Sequence, residues 1–298
     1  MVKNLIVLCG GNSQRFINDG YPNKCLLPTK NDNNNINILL FNSIDNIISQ
    51  MVELPKNIVI VLSEYLYDQF NKNDSLLNKY FNSFIKHSIN NLSSRDINIH
   101  YIKGSKNGAL ESALFGVKHL LDVEKNNEYS DVLISNVDQF IYYDGMNFNS
   151  LKNIIKYSQI NSRLNVGGIL FHHYEQDKST ALGYSTIDID GYITQIHEKQ
   201  PITPFSHTGH YYFSNITSFI KYAKQVIDKN IKINNEYFLS SVIQEMINDK
   251  IRFISYFVDE FICLGTPKDY EEYMKQDSDT YIGLLFLKLI KQLKRLIK

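Results

Sequence analysis

An apolar run, Leu5 to Cys9, breaks into Gly10-Gly11-Asn12-Ser13-Gln14-Arg15-Phe16, and Pro22-Asn23-Lys24-Cys25-Leu26-Leu27-Pro28 follows closely. Paired glycines let backbone N–H groups close on an oxyanion, because no Cβ holds the ligand away. Arg15 adds a forked, planar cation and Lys24 a compact one. Amides and cations mixed in this way suit a chain of phosphates. The pattern is neither GxxxxGK[ST] nor GxGxxG, which excludes a P-loop and a dinucleotide fingerprint. The glycines alone also suit a plain turn between surface cations. A second apolar run ends in Ser135-Asn136-Val137-Asp138-Gln139. A carboxylate just past a buried strand can hold Mg²⁺, a hard cation that takes oxygen ligands. An Asx-type turn is its other use.

These residues need a frame. Short apolar runs at 3–9, 57–62, 97–102 and 131–135 predict strands, and helical spacing at 36–50, 75–86 and 108–124 predicts helices between them. Such alternation implies an α/β fold: a Rossmann-like, mostly parallel sheet flanked by helices, with ligands beyond the carboxyl ends of the strands. The second half changes rhythm. Strands at 164–172, 183–189, 192–197 and 207–213 predict antiparallel structure added to the sheet, followed by helices at 216–229 and 236–248 and a strand at 252–258. Thr266-Pro267 opens a further short helix, with proline at a favourable first position. Residues 1–278 make one domain, and 279–298 a basic amphipathic helix. Its apolar stripe fits a membrane surface, a second copy of the chain or the chain's own domain.

Taken together, Gly10-Gly11-x-x-x-Arg15-Phe16 and Lys24-x-Leu26-Leu27-Pro28 resemble the signature loop of the sugar-nucleotide pyrophosphorylases, the sugar-phosphate nucleotidyltransferase family. Members usually read Gly-Gly-x-Gly-Ser/Thr-Arg, whereas here Ser13 replaces the third glycine and Gln14 the Ser/Thr. Further matches follow in the family's order: Asn107-Gly108-Ala109, Asn136-x-Asp138-Gln139, Leu182-Gly183-Tyr184, Glu198-Lys199-Gln200-Pro201, Thr208-Gly209, Asn235-Glu236-Tyr237-Phe238-Leu239 and Gly265-Thr266-Pro267. The Asn-x-Asp-Gln form is closest to a subgroup linked to capsular or surface-polysaccharide synthesis. Cys263 stands where many members carry a second metal-binding aspartate, and a thiol is a poor ligand for Mg²⁺. Asp259 or Glu260 is the candidate replacement.

The resemblance implies a glycosyltransferase-A-like nucleotidyltransferase fold, a Mg²⁺ cofactor, and transfer of a nucleoside monophosphate from its triphosphate to a sugar phosphate with release of pyrophosphate. Gly10, Gly11, Asn12, Gly108 and Ala109 would hold the nucleotide, and Arg15, Lys24 and Asp138 would be catalytic, with Asp138 as metal ligand. Gly183, Glu198, Lys199, Thr208 and Gly209 would bind the sugar phosphate. Three other readings stay open. One is cytidylyl transfer to a non-sugar phosphate such as phosphocholine. A second is a glycosyltransferase of related fold, which would carry Asp-x-Asp where this chain has Asn136-x-Asp138 and would lack the Arg15/Lys24 loop. The third is a non-catalytic binding protein of the same fold.

Composition narrows the partners. The 298 residues carry 31 basic and 31 acidic side chains, and 43% are hydrophobic. Zero net charge argues against a nucleic-acid partner. Cys9, Cys25 and Cys263 form no CxxC pair and read as reduced thiols in a cytoplasmic protein. His172, His173, His197, His207 and His210 lack zinc spacing and read as ordinary strand histidines.

Overall fold

The computed structural model describes residues 2–11, 13–30, 36–51, 54–71, 97–124, 130–143, 153, 155, 165–177 and 179–275. Among these described residues thirteen strands follow in chain order. They are β1 (Asn4–Cys9), β2 (Pro28–Lys30), β3 (Ile36–Ile38), β4 (Asn57–Leu62), β5 (Asn98–Lys103), β6 (Val132–Asn136) and β7 (Gln139–Tyr142), then β8 (Val166–Tyr174), β9 (Gly183–Ile187), β10 (Ile193–Glu198), β11 (Phe205–Phe213), β12 (Arg252–Phe257) and β13 (Glu260–Cys263). The helices are α1 (Gln14–Asn18), α2 (Leu39–Ser49), α3 (Glu64–Asn71), α4 (Ala109–Val123), α5 (Ile216–Asp228), α6 (Leu239–Asn248) and α7 (Pro267–Lys275), with a 3-10 turn at Lys24–Leu26.

A nine-stranded mixed sheet runs β10-β9-β11-β6-β1-β4-β5, with β8 branching from β11 and β12 from β8. Strands β6, β1, β4 and β5 are mutually parallel. Strand β11 lies antiparallel to β6, β8 and β9. Every residue of β1 and β4 is buried, because helices cover both faces. Alternation divides them: Leu5, Val7 and Cys9 pack with α2, whereas Ile6 and Leu8 pack with α4, α5 and α6.

Register is fixed at the far end from the ligand edge. Asn57 Nδ2 donates to Asn4 Oδ1 at 2.8 Å, and Asn98 Nδ2 to Asn57 Oδ1 at 3.2 Å, a ladder of amides across β1, β4 and β5. A one-residue slip would break it and turn each strand's apolar set to the wrong face.

Within the described residues the alternation read from sequence is the observed architecture, except that α3 at Glu64–Asn71 was not expected and several element ends differ. The helix expected at 36–50 starts at Leu39, because residues 36–38 pair with β2 as a strand. The helix expected at 236–248 starts at Leu239, since Glu236 bridges back to Ile233. The expected helices at 75–86 and 279–298 lie outside the described residues. Among the described residues no helix is long and apolar enough to cross a membrane.

Candidate active site

The parallel strands end on one edge, and their loops wall a cleft of about 530 Å³. Strand β1 delivers Gly10 and Gly11, β5 delivers Ser105 and Gly108, and β6 delivers Asn136 and Asp138. Arg15, Lys24, Ala109 and Gly265 also line it, as do Ala181, Leu182, Glu236 and Phe238.

Ser13 shows how the altered loop is built. Its φ is +51°, a left-handed conformation that glycine adopts freely and other residues rarely do. The serine hydroxyl offsets part of that strain by accepting the Lys24 backbone N–H at 3.1 Å. The two cation-bearing segments are thereby tied together. Beneath them Phe16, Tyr21 and Tyr270 pack edge to face. Tyr270 donates to the Pro28 carbonyl at 2.9 Å and Tyr21 to Glu271 at 2.5 Å, so α7 holds the loop from below.

The Lys24 ammonium donates to Asp138 Oδ2 at 2.6 Å across 114 residues of sequence. Their side chains retain 20% and 12% of their exposure, so the pair sits on the cleft floor, partly reached by water. Burial alone would pull the Lys24 pKa down, and the facing carboxylate more than offsets it, leaving it above the ordinary lysine value. Burial, and then the neighbouring Asp138, push the Cys263 thiol up to about 12, so it stays protonated. Asp259 and Glu260 lie before and at the opposite end of β13 from Cys263, and neither lines the cleft.

Asp138 is bracketed by amides. Asn136 Nδ2 donates to Gln139 Oε1 at 2.9 Å. Gln139 lies over Gly209, whose φ is +74°, and a Cβ at Gly209 would collide with the glutamine carboxamide. A Cβ at Gly183 would lie 2.7 Å from Glu198 Oε2 and against the His207 ring. Burial raises the Glu198 pKa, while the Ser240 hydroxyl, donating to Oε2 at 2.5 Å, and Lys199 oppose the shift. Thr208 is fully buried and donates to the Phe171 carbonyl at 3.2 Å.

The structure therefore gathers Gly10, Gly11, Arg15, Lys24, Gly108, Ala109 and Asp138 around one cleft. Gly183, Glu198, Lys199, Thr208 and Gly209 are not part of its lining. Lys199 stands with its Nζ 4.7 Å from the Phe238 ring centroid, and Phe238 does line the cleft. Asn12 lies outside the described residues. His172, His197, His207 and His210 are buried in the strands, with ring nitrogens on Leu170 O, Thr186 Oγ1, Ser185 Oγ and Thr208 O respectively. Sequence reasoning gave no individual role to Phe238, Ser240 or Asp269. Asp269 was legible: Thr266-x-x-Asp269 has capping-box spacing, and the two exchange hydrogen bonds of 3.0 and 3.2 Å at the start of α7.

The nucleotidyl transferase family model matches residues 44–280. The chain belongs to that family. The match takes in Asp138, Glu198 and Lys199 and begins after the glycine loop, so membership does not depend on Gly10 to Lys24. Among solved structures, a nucleoside-diphosphate-sugar pyrophosphorylase from Vibrio cholerae RC9 is 16% identical, with a TM-score of 0.66 over 91% of this chain and 99% of its own. A UDP-glucose pyrophosphorylase complexed with UDP-glucose is 16% identical, with a TM-score of 0.66 over 94% and 99%. The inositol-1-phosphate CTP transferase from T. maritima is 13% identical, with a TM-score of 0.57 over 91% and 94%. At these identities the likeness is one of fold. No curated protein sequence matches the chain.

The donor set bears on metal binding. Among the described residues, no three His, Cys, Asp or Glu side chains converge as a metal site. Asp138 offers one hard oxygen donor at the cleft floor, beside a protonated thiol. That suits Mg²⁺, which commonly takes one or two carboxylates and completes its shell with substrate phosphates and water. It does not suit a cation held by protein alone.

Proposed function

We propose that this nucleotidyltransferase joins a nucleoside monophosphate to a sugar phosphate, making a nucleotide-sugar. The observation that carries the reading is the Lys24–Asp138 pair, on the floor of a cleft walled by the glycine loop on one side and by Leu182 and Phe238 on the other. A cation and a metal-binding carboxylate meeting between two subsites is what in-line transfer at phosphorus requires.

An oxygen of the acceptor phosphate is already a nucleophile at neutral pH. It bonds to the α-phosphorus as the bond to the β-phosphate oxygen breaks, and the electron pair leaves with pyrophosphate. Backbone amides of residues 10–11 and the Arg15 guanidinium hold the triphosphate. Gly108 and Ala109, opening α4, receive the nucleoside end. Lys24 releases Asp138 and turns its ammonium to the charge building on the phosphates. Mg²⁺, held by Asp138 and the phosphates, would neutralise charge on the α- and β-phosphates. Lys199 takes the acceptor phosphate, and Glu198 the sugar.

A fold shared with an inositol-1-phosphate CTP transferase keeps non-sugar acceptors in the test. Pyrophosphate release is measured with Mg²⁺ and each common nucleoside triphosphate, against sugar 1-phosphates, inositol 1-phosphate and phosphocholine. One nucleotide and one sugar phosphate giving release, lost in Asp138→Ala, is the expected result. Release with phosphocholine or inositol 1-phosphate alone would replace the sugar assignment. Nucleotide binding without release from any acceptor would favour a binding protein.

A further inference from the structure

Two lysines flank the cleft, and they are held in different ways. The Lys24 charge is cancelled by Asp138. Lys199 makes no ion pair among the described residues, although its charge acts on the neighbouring Glu198 carboxylate. Its backbone is left-handed, with φ +58°, and its N–H donates to the Leu182 carbonyl at 3.0 Å. That turn leads the side chain to Phe238, where the ammonium stands 4.7 Å from the ring centroid.

The ring is well placed to act as a support. Phe238 is the extended N-cap residue of α6, between the buried Tyr237 and Leu239, so its backbone is anchored on both sides while its ring borders the cleft. Two residues on, Ser240 holds the carboxylate of Glu198. Adjacent residues of β10 and the turn after it, Glu198 and Lys199, are thus each fixed by the start of α6. The same segment reaches the other subsite: the Tyr237 carbonyl accepts the Leu110 N–H at 3.3 Å, in the first turn of α4 behind Gly108.

From this geometry we infer that Phe238 is a positioning residue for acceptor binding: its ring seats the Lys199 ammonium at the cleft wall, ready for a phosphomonoester dianion. The inference rests on the function proposed above, in which Lys199 takes the acceptor phosphate. An aromatic face orders the flexible side chain but leaves its positive charge uncancelled. An incoming phosphate adds stronger, charge-assisted hydrogen bonds to an ammonium that the ring has already placed and keeps beside it. A carboxylate in place of the ring would hold the lysine more tightly and compete with the substrate.

The test combines kinetics with a spectroscopic signature. Phe238→Leu keeps bulk and removes the π face. It should raise the acceptor KM about two- to fivefold, the size expected of a partly exposed cation–π contact. The nucleotide KM and kcat should stay within about twofold. Phe238→Tyr and Phe238→Trp should restore the acceptor KM. In a Lys199→Met background Phe238→Leu should add nothing further; an undiminished effect there would mean that the ring acts only through packing and would overturn the inference. Apart from turnover, the Lys199 ε-methylene resonance should be shifted upfield by the ring in the wild type, move on titration with inorganic phosphate, and lose its shift in Phe238→Leu. An unshifted resonance, or one indifferent to phosphate, sinks the seat even if the enzyme is active. Absence of turnover with a shifted, phosphate-sensitive Lys199 overturns the proposed acceptor chemistry instead.

Discussion

The two halves of the cleft are built to different standards of tightness. On the nucleotide side, a Cβ added at Gly11 meets nothing within 4 Å, and the neighbouring Arg15 is exposed. On the proposed acceptor side, set back from the cleft lining, Gly183 and Gly209 have no room for a methyl group, and His207 and His210 are buried. The tip of the glycine loop is therefore open, whereas Gly10 at its base, where a Cβ would lie 2.9 Å from Ser112 Oγ, is packed as Gly183 and Gly209 are. Substitutions should therefore divide: those at the open loop tip should cost activity more than stability, and those at the packed Gly183 and Gly209 stability first.

The sharpest case lies between the walls. Asp138→Asn should lower kcat by about a thousandfold or more if, as proposed, Asp138 holds the cation that neutralises the phosphates. Nucleotide affinity measured without metal should change far less, as isothermal titration would show. A similar fall in both would make Asp138 part of the nucleotide seat and blur the division.

Gly209→Ala should destabilise the fold by about 2–4 kcal/mol in urea titrations, because it combines a left-handed backbone with a collision at Gln139. Gly11→Ala should change stability by less than about 0.5 kcal/mol while raising the nucleotide KM. Equal stability losses in the two variants would remove the basis of the comparison.

Acid should find the acceptor side first. Burial holds His172 down to about 3 and His210 to about 4, and burial together with His172 lowers His207 well below 6.5. Above pH 6.5 these groups are neutral in both states and contribute no pH dependence. As pH falls below 6.5 the unfolded chain takes protons that the folded one refuses. Each histidine then removes about 1.4 kcal/mol of stability per pH unit until its folded pKa is reached. Glu198, whose pKa is raised, opposes the trend because the folded state protonates it first. The urea midpoint should therefore fall between pH 6.5 and 5, and His210→Asn should flatten that fall by one histidine's share.

The smallest effect is expected at Glu64, an exposed carboxylate that bridges Lys103 and Lys106. Hydrogen bonds and charge from both lysines hold its pKa at about 2. Water and salt screen such a network, so Glu64→Gln should leave the thermal midpoint within error. A clear drop would show that the nucleotide wall depends on surface charge for its shape.

The long strands and helices were legible because each carries its own local pattern, periodic in the helices and continuously apolar in the fully buried β4, which was read at its observed limits, 57–62. The short β7 and β13 were not. Four residues hold too little pattern, and each is a strand only because the other pairs with it, Cys263 opposite Gln139 and Glu260 opposite Tyr142. The nucleotide wall was readable as a contiguous loop, and Lys24 and Asp138 could be named singly, but their meeting at 2.6 Å belongs to the tertiary fold. Phe238 carries no polar atom to attract notice, and its interest comes only from the ammonium that the turn at Lys199 places above it.

The bonds from Tyr270 to Pro28 and from Tyr21 to Glu271 span 242 and 250 residues of sequence. A growing chain emerges at about 5–20 residues per second, and its early parts fold before later ones exist. The glycine loop therefore leaves the ribosome long before the helix that braces it, and must wait for α7 to emerge. During that interval the parallel core can form around an unsupported loop, so an unfinished chain presents no completed site to nucleotide in the cell.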